Sequence, residues 1–176
     1  MSGPIQQSQA SVGLLLGIRE NGQPGVLLQE RAEHDSYARA CQVTTHGKLS
    51  ADEMKLDESL ALPTALGRKL REELGEIAAQ MIEAAQAAPI ELERIVNSKG
   101  RLVVTYGLDL AEEASAFRKL IVPGVDVGGF RVCLDPSTIE PLEDDHKAAG
   151  VAATETRMFK DEIESVKAFF RVFNNM

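Results

Sequence analysis

Four charged side chains recur at helical spacing within residues 65–76. At about 100° per residue, Lys69, Glu72, Glu73 and Glu76 fall within a sector of roughly 60°. Carboxylates crowded in this way repel one another unless a cation lies among them. Oxygen ligands select a hard ion such as Mg²⁺, which retains waters and accepts phosphate oxygens. The segment therefore predicts a Mg²⁺ site.

The same charges also suit an ordinary exposed helix. Arg68 with Glu72, and Lys69 with Glu73, are i,i+4 pairs, each of which stabilises an exposed helix by about 0.2–0.5 kcal/mol. However, the apolar stripe of this helix is centred only about 110° from the charged sector, whereas a solvated face would lie at about 180°. The acidic side chains therefore border the core, which favours a functional role.

Read with its neighbours, the segment resembles the Nudix box, whose pattern is Gly-x5-Glu-x7-Arg-Glu-U-x-Glu-Glu-x-Gly-U, where U is a bulky aliphatic residue. Residues 68–75 match the helical half of that pattern. Gly47 is similar to its opening glycine, and residues 57–59 are similar to the step before its helix. Beyond the box, residues 12–18 and 26–31 resemble the opening strands of the family, and residues 155–163 resemble its closing strand and helix start.

The resemblance implies hydrolysis of a nucleoside diphosphate linked to another moiety, such as a sugar, with Mg²⁺ or Mn²⁺ as the cofactor. In that scheme Glu72 and Glu73 hold the ion together with Gly47, and Glu72 is also catalytic. Arg68 would be a second catalytic residue, which orients the acidic groups through charge-assisted hydrogen bonds.

Three further residues complete the site that the resemblance implies. Arg31, at the end of the second strand, and Glu58, before the box helix, are assigned to substrate binding. Glu143 lies in the acidic stretch 140–145, where some family members carry the general base on a late loop. A solvated acidic turn explains Glu143 equally well.

The sequence departs from the family pattern at two box positions. Lys69 stands where the family has a glutamate, and an ammonium group repels Mg²⁺ and offers it no lone pair. The spacing is also stretched: Glu53 lies 15 residues before Arg68 and Glu58 lies 10 before it, where the pattern has 8. We favour Glu58, because a capping box with Ser50 already accounts for Glu53.

A third departure is Glu76, which replaces the final aliphatic residue of the box. We expect Glu76 to supply the carboxylate that Lys69 removes, since it follows Glu72 by four residues and Glu73 by three. This geometry requires the helix to continue through Gly75.

Two functional readings stay open at this point. One is a Mg²⁺-dependent pyrophosphohydrolase, supported by Glu72, Glu73 and the late acidic stretch. The other is a catalytically impaired Nudix-fold domain that binds a nucleotide or a protein partner, supported by Lys69 and the stretched box. An unrelated α+β interaction domain would require the box and closing-strand matches to be accidental.

The order of elements indicates an α+β fold, which the resemblance narrows to a Nudix-like α/β/α sandwich with a mixed β-sheet between helices. We expect one domain over residues 1–176, with residues 1–10 as a loose tail. The predicted strands are 12–18 and 25–29, joined at Asn21-Gly22, and 41–45, 101–110, 128–134 and 154–159. The predicted helices are 50–62, ended by Pro63, then 64–87, 111–120, and a last one capped by Asp161 and Glu164.

Composition limits the partners. The chain has 19 Lys and Arg against 27 Asp and Glu, a net charge of −8, and no basic run, so nucleic acid is not expected. No apolar run is long enough to cross a membrane, and the first residues lack the features of a signal peptide, which together predict a cytoplasmic protein. Phe169, Phe170 and Phe173 could mark a homodimer surface, although core packing explains them as well.

Overall fold

The computed structural model describes residues 2–174. Its strands are β1 Ala10–Glu20, β2 Gln23–Arg31, β3 Cys41–Gln42, β4 Thr45–Lys48, β5 Ile90–Val96, β6 Leu102–Glu113, β7 Val127–Cys133, β8 Glu140–Pro141 and β9 Arg157–Met158. Its helices are α1 Glu58–Leu74, α2 Glu76–Glu83, α3 Ala114–Arg118, α4 His146–Ala149 and α5 Lys160–Phe173. None of the helices within residues 2–174 has the length and apolar character that a membrane span requires.

Strand β1 organises the sheet. It pairs in parallel with β6 along one edge and antiparallel with β2 and β4 along the other. The predicted hairpin of β1 and β2 is confirmed, and its turn places Asn21 at φ 51° and Gly22 at φ 79°. Two successive left-handed residues match the right-handed twist of the paired strands. The main sheet is therefore mixed, as predicted.

Strand β4 fills a gap that β2 leaves. Strand β2 pairs with β1 only from Leu16 to Glu20, and β4 pairs with the first half of β1, from Ser11 to Leu14. The single strand predicted over 41–45 is therefore two short strands, β3 on β2 and β4 on β1. This arrangement brings residues 45–48 beside α1, where the candidate site lies.

Helices cover both faces of the sheet. Leu14, Leu16 and Ile18 face a core closed by α1 and α2, whereas Leu15 faces a second core closed by α5. Successive side chains of a strand point to opposite faces, so β1 contributes to both cores and is buried on both sides. The predicted α+β sandwich is confirmed. Phe169 is buried in the second core and stacks on Phe173 at 4.4 Å, so these rings serve the core.

Helix α1 begins later than the sequence predicted and contains Pro63. Ser50 and Glu53 exchange the expected capping hydrogen bonds, but they close only a 3₁₀ turn over Glu53–Lys55. The predicted helix over 50–62 and its end at Pro63 are therefore wrong. Leu62 and Leu66 on either side of the proline are buried, and this packing compensates for the one hydrogen bond that proline cannot donate.

Gly75 ends α1, so the single helix predicted over 64–87 is also wrong. Its backbone, at φ 90° and ψ 166°, leaves the helical region, and α2 starts at the next residue. The loop before β7 covers the exposed end of α1, because Val122 and Gly124 donate backbone hydrogen bonds to the carbonyls of Leu74 and Glu73. The two helices therefore present their side chains in unrelated directions.

Residues 2 and 3 lie against the start of α1. The backbone carbonyl of Gly3 and the hydroxyl of Ser2 accept hydrogen bonds from the N–H groups of Glu58 and Ser59, at 2.8 and 2.9 Å. These N–H groups have no partner inside the helix. The N-terminal segment therefore caps α1, while Met1 lies outside the described residues.

The elements after α2 agree less well with the predictions made from the sequence. Strands β6 and β7 confirm the predictions for 101–110 and 128–134, and β5, which the sequence did not predict, forms the edge beside β6. The strand predicted over 154–159 is reduced to Arg157–Met158. Helix α5 begins at Lys160, and no side-chain hydrogen bond caps it.

Candidate functional site

Arg68 connects α1 to the 3₁₀ turn before it. Its Nε and Nη2 donate to the two carboxylate oxygens of Glu53 at 3.1 and 2.9 Å, and its Nη1 donates to Glu72 at 3.0 Å. Nη2 also reaches the backbone carbonyl of Lys48 at 2.9 Å. The guanidinium lowers the pKa of Glu53, which stays ionised although its side chain is buried. Arg68 therefore holds Glu53 and Glu72 in place, and a catalytic role for it stays a prediction.

Glu53, and not Glu58, is the glutamate that pairs with Arg68. One carboxylate serves both purposes, since Oε1 of Glu53 accepts the capping hydrogen bond from Ser50 as well as the hydrogen bond from Arg68. The signal was present, because Glu53 satisfies the Gly-x5-Glu spacing. A capping box with Ser50 explains a glutamate at this position equally well, so the spacing alone does not distinguish the two.

Glu58 lies apart from this group. Both of its oxygens accept hydrogen bonds from Arg94 on β5, at 2.8 and 3.0 Å. Ten helical residues separate Glu58 from Arg68, which is about 15 Å along the axis. The structure thus places Glu58 in an ion pair at the start of α1, and does not bring it to the other predicted site residues.

Glu72 is held between two cations. Lys69 Nζ donates to one carboxylate oxygen at 2.9 Å, and Arg68 donates to the other at 3.0 Å. These hydrogen bonds, first that of Lys69 and then that of Arg68, lower the pKa of Glu72. Glu72 is therefore ionised, with each oxygen occupied by a positively charged donor.

Glu73 is buried, and both of its carboxylate oxygens accept hydrogen bonds. Its Oε1 accepts the hydroxyl proton of Thr45 and, at 3.0 Å, the backbone N–H of His46, while its Oε2 accepts the side-chain amide of Gln29 at 2.9 Å. Gln29 is itself fixed, because Gln42 donates to its carbonyl oxygen at 2.7 Å. The carboxylate of Glu73 therefore joins α1 to both β2 and β4.

The sequence analysis missed Gln29 and Thr45. The only signal for Gln29 was a polar residue at the end of an apolar strand, and Thr45 appeared as an ordinary strand residue. Both are buried in the structure. Their function follows from strand pairing, which single-sequence patterns do not specify.

Lys69 lies over Gly47. A Cβ atom built on Gly47 would be 2.3–2.6 Å from three carbons of the Lys69 side chain. The lysine can lie in this position because Gly47 has no side chain. The lysine stem therefore occupies the space beside the glycine that the resemblance assigned to metal binding. The ammonium group stands at the end of this stem, against Glu72.

The residues do not fit a divalent cation in this arrangement. Mg²⁺ requires oxygen lone pairs directed at it. Here N–H and O–H donors point at both oxygens of Glu73, and positive groups contact both oxygens of Glu72. Within residues 2–174, the groups of three possible ligands are His34, Asp35 and Asp126, and Glu143, Asp145 and His146. Neither group includes Glu72 or Glu73.

Glu76 does not join the carboxylates of α1, which corrects the prediction. Because the helix ends at Gly75, the i,i+4 relation to Glu72 does not exist. The carboxylate of Glu76 instead accepts hydrogen bonds from Arg71 at 2.8 Å and from Gln80 at 3.0 Å.

Glu143 also lies outside the Arg68 group. Its side chain is 67% exposed and is 4.0 Å from Nη1 of Arg157, which also pairs with Glu140 and Glu155. The backbone N–H of Glu143 donates to His146. The structure shows a solvated acidic turn here, which is the alternative that the sequence left open.

A cavity of about 220 Å³ opens beside β4, on the α5 side of the sheet. Its polar lining residues are Ser11, Arg31, Gln42, His46, Asn97, Arg101, Asp161 and Glu162. Arg31, predicted to bind substrate, therefore lines a real cavity, and its Nε is positioned by the carbonyl of Ser36 at 2.9 Å. The exposed ring of Phe159 forms part of the wall.

His46 connects the cavity to α1. Its backbone N–H holds Glu73, and its side chain lines the cavity. Burial, assisted by the positive charges of Lys69, Arg101 and Arg31, lowers the pKa of His46 to about 4. The imidazole is therefore neutral at physiological pH, and three cations lie close enough to influence it.

Two polar atoms at the cavity have no partner among the described residues. The Oγ of Ser11, which is fully buried, and the Nε of Arg101 make no hydrogen bond within residues 2–174. Buried polar groups in folded proteins nearly always have partners. The Oγ of Ser11 and the Nε of Arg101 are thus unpartnered polar atoms beside the cavity, although Nη2 of Arg101 donates to Gln9 at 3.0 Å.

Three solved structures share this architecture. A MutT/nudix family protein from Enterococcus faecalis aligns with a TM-score of 0.58 and 18% identity, over 97% of this chain and 64% of that one. The Nudix hydrolase RenU from M. smegmatis aligns with a TM-score of 0.57 and 17% identity, over 95% of this chain and 86% of that one. An Ap4A hydrolase from C. elegans aligns with a TM-score of 0.55 and 9% identity, over 94% of this chain and 99% of that one. The chain has the Nudix fold.

No family model and no curated protein matches the sequence. Similarity at these identities establishes the Nudix fold alone, and the chemistry must be judged from the residues. In this Nudix-fold chain the helix that carries residues 68–74 ends at Gly75, and the glutamate paired with Arg68 is Glu53, which lies 15 residues before it.

Replacing Glu53 with alanine should destabilise the protein by about 1.5–3 kcal/mol, because Arg68 loses two charge-assisted hydrogen bonds and Ser50 loses its partner. Glu58→Ala is the matched control, since it removes an ion pair to Arg94 at the protein surface and should cost at most about 1 kcal/mol. Urea denaturation of both variants measures the difference. Equal losses would contradict the central role of Glu53.

Glu162 predicts a pH dependence of stability. Burial raises the pKa of Glu162 from 4.5 to about 7. The folded state therefore binds this proton more tightly than the unfolded state, so the stabilisation is complete below pH 4.5 and is lost as the pH rises through 7.

Glu162→Gln, which stays neutral, should accordingly raise Tm above that of the wild type by roughly 2–4 °C at pH 8 and by less at pH 5. Glu164→Gln on the exposed face of α5 is the control, and its effect should not change with pH in this way. A Glu162→Gln effect that is independent of pH would show that the carboxyl group is not held neutral by burial.

Proposed function

We propose that this chain binds a nucleoside diphosphate derivative in the cavity beside β4, and that its Mg²⁺-dependent hydrolytic chemistry is impaired. One observation carries this proposal: both oxygens of Glu73 accept hydrogen bonds from Gln29, Thr45 and His46, while Lys69 stands beside Gly47. The Nudix fold supplies the frame, and the positive charges of Arg31 and Arg101 at the cavity support the binding of an anion.

The cavity has the chemistry that such a ligand requires. Arg31 and Arg101 provide positive charge for phosphate groups, and the hydroxyl of Ser11 provides an unused donor and acceptor. The exposed ring of Phe159 offers a surface on which a base can stack. Glu162, on the same wall, offers an acceptor for base or sugar donors.

A second candidate function is Mg²⁺- or Mn²⁺-dependent hydrolysis of the diphosphate bond. The arrangement of Arg68 between Glu53 and Glu72 supports it, since this is the part of the box that the structure preserves. Two of the solved structures that share the fold are named as hydrolases. Under this proposal Glu73 would have to release its donors before an ion could bind.

A panel of nucleoside diphosphate derivatives, tested with Mg²⁺ and with Mn²⁺, separates the two functions. We expect calorimetry to detect binding of at least one compound, and chromatography to detect little or no nucleoside monophosphate. Lys69→Glu restores the family residue and should raise any hydrolysis rate at least tenfold, whereas the matched control Lys55→Glu, on an exposed turn, should not.

Hydrolysis by the wild-type protein that is lost in Glu73→Gln would favour the second function over the first. Absence of binding across the whole panel would contradict both. A cytoplasmic location and a homodimer stay predictions from the sequence, and the Phe side chains that suggested a dimer surface pack against the second core.

A further inference from the structure

A small chamber adjoins the cavity beside β4. Its volume is about 30 Å³, which is enough for one group the size of a water molecule. The chamber and the cavity lie side by side between the sheet and α5, because they share the lining residues His46, Ile95, Val103, Asp161 and Glu162. A ligand in the cavity can therefore extend one small substituent into the chamber.

The hairpin of β5 and β6 sets the order of the lining residues. Glu93 lies opposite Thr105 in the antiparallel register, and Ile95 lies opposite Val103 one step further along the same face. Glu93 and Thr105 line the chamber only, whereas Arg101, four residues before Thr105 and thus about 13 Å away along the strand, lines the cavity only. The lining therefore changes from acceptors, through an apolar pair, to a cation.

The chamber contains hydrogen-bond acceptors that the protein leaves unused. Oε2 of Glu93 accepts the hydroxyl proton of Ser165 at 2.6 Å, whereas Oε1 makes no hydrogen bond within residues 2–174. The hydroxyl of Thr105 also has no partner in this part of the chain, although the residue is only 5% exposed. Because buried polar groups nearly always have partners, the chamber suits a small group that donates hydrogen bonds.

The positive charge lies at the other end of the cavity. Arg31 and Arg101 line the cavity and do not line the chamber. Nε of Arg101 and both terminal nitrogens of Arg31 make no hydrogen bond among the described residues. Guanidinium groups bind phosphate oxygens well. The space as a whole is therefore polarised, with donors for an anion at one end and acceptors at the other.

We propose that the chamber receives the exocyclic amino group of the ligand's base, so that this site selects nucleoside diphosphates of adenine or cytosine over those of hypoxanthine or uracil. The inference rests on the proposed function and names its substrate class. An amino group brings two N–H donors to Glu93 and Thr105. The oxo group of hypoxanthine or uracil is an acceptor, and it would face the Glu93 carboxylate without a proton between them.

Two matched pairs of ligands test the inference by calorimetry in Mg²⁺. ADP and IDP, like CDP and UDP, have the same shape and differ in the amino or oxo group and in the ring nitrogen beside it. We expect the wild-type protein to bind ADP at least about tenfold more tightly than IDP, and to prefer CDP over UDP in the same way, because the wrong base leaves buried polar groups unpaired.

Three variants assign the preference to the chamber. Glu93→Gln keeps the volume and an acceptor for Ser165 but adds N–H donors, so the ratio of ADP to IDP affinity should fall to about one. Thr105→Val should lower this ratio severalfold. Glu91→Gln, on the same strand but paired with Arg94 at the surface, is the matched control and should keep the wild-type ratio. A purely structural role of Glu93 would weaken both ligands equally and leave the ratio unchanged.

Equal binding of ADP and IDP by the wild type, or a preference that Glu93→Gln does not change, would overturn the inference. If none of the four diphosphates binds but another nucleoside diphosphate derivative does, the inference also fails while the proposed function stands. If no nucleoside diphosphate derivative binds at all, the proposed function itself fails.

Discussion

The hydrogen-bonded carboxylate of Glu73 is the interaction on which the site depends. An ionised group inside a protein is tolerated only when donors replace the water it has lost. Thr45, His46 and Gln29 supply those donors from β4 and β2, which both pair with β1. The same contacts fix β4 against α1, and this determines where His46 and the cavity lie. The carboxylate thus has a structural function that competes with metal binding.

The charges around it follow from that constraint. With Glu73 satisfied by neutral donors, the remaining acidic groups of the box are satisfied by positive side chains. Glu53 pairs with Arg68, and Glu72 pairs with both Arg68 and Lys69. Lys69 can occupy its place because Gly47 has no side chain. The result is a network in which each carboxylate is hydrogen-bonded, and the three carboxylates Glu53, Glu72 and Glu73 outnumber the two cations Arg68 and Lys69.

Local patterns in the sequence predicted the elements whose structure is determined locally. The Asn21-Gly22 turn encodes its own hairpin, and the Arg and Glu spacing in residues 68–73 requires only a helix. The sequence also identified Lys69 as the residue that sets this chain apart from the box pattern. A glycine such as Gly75 can end a helix or lie within it, and the proposal for Glu76 needed the helix to continue. The positive φ of a single residue, Gly75, decided between the two outcomes.

The contacts of Gln29 and Glu53 could not be predicted in this way. Gln29 contacts Glu73, which is 44 residues away in the sequence, and Glu53 contacts Arg68, which is 15 residues away. The periodicity of a sequence does not reveal such contacts.

Titration of the wild-type protein with Mn²⁺, followed by electron paramagnetic resonance of the free ion, tests the central claim most directly. If the donors from Gln29, Thr45 and His46 occupy Glu73, the protein should take up no stoichiometric Mn²⁺. Uptake of one or more ions per chain, lost in Glu73→Gln and retained in the surface variant Glu164→Gln, would contradict it. In that case the carboxylate would be a metal ligand, and the chain would have the metal site of an enzyme.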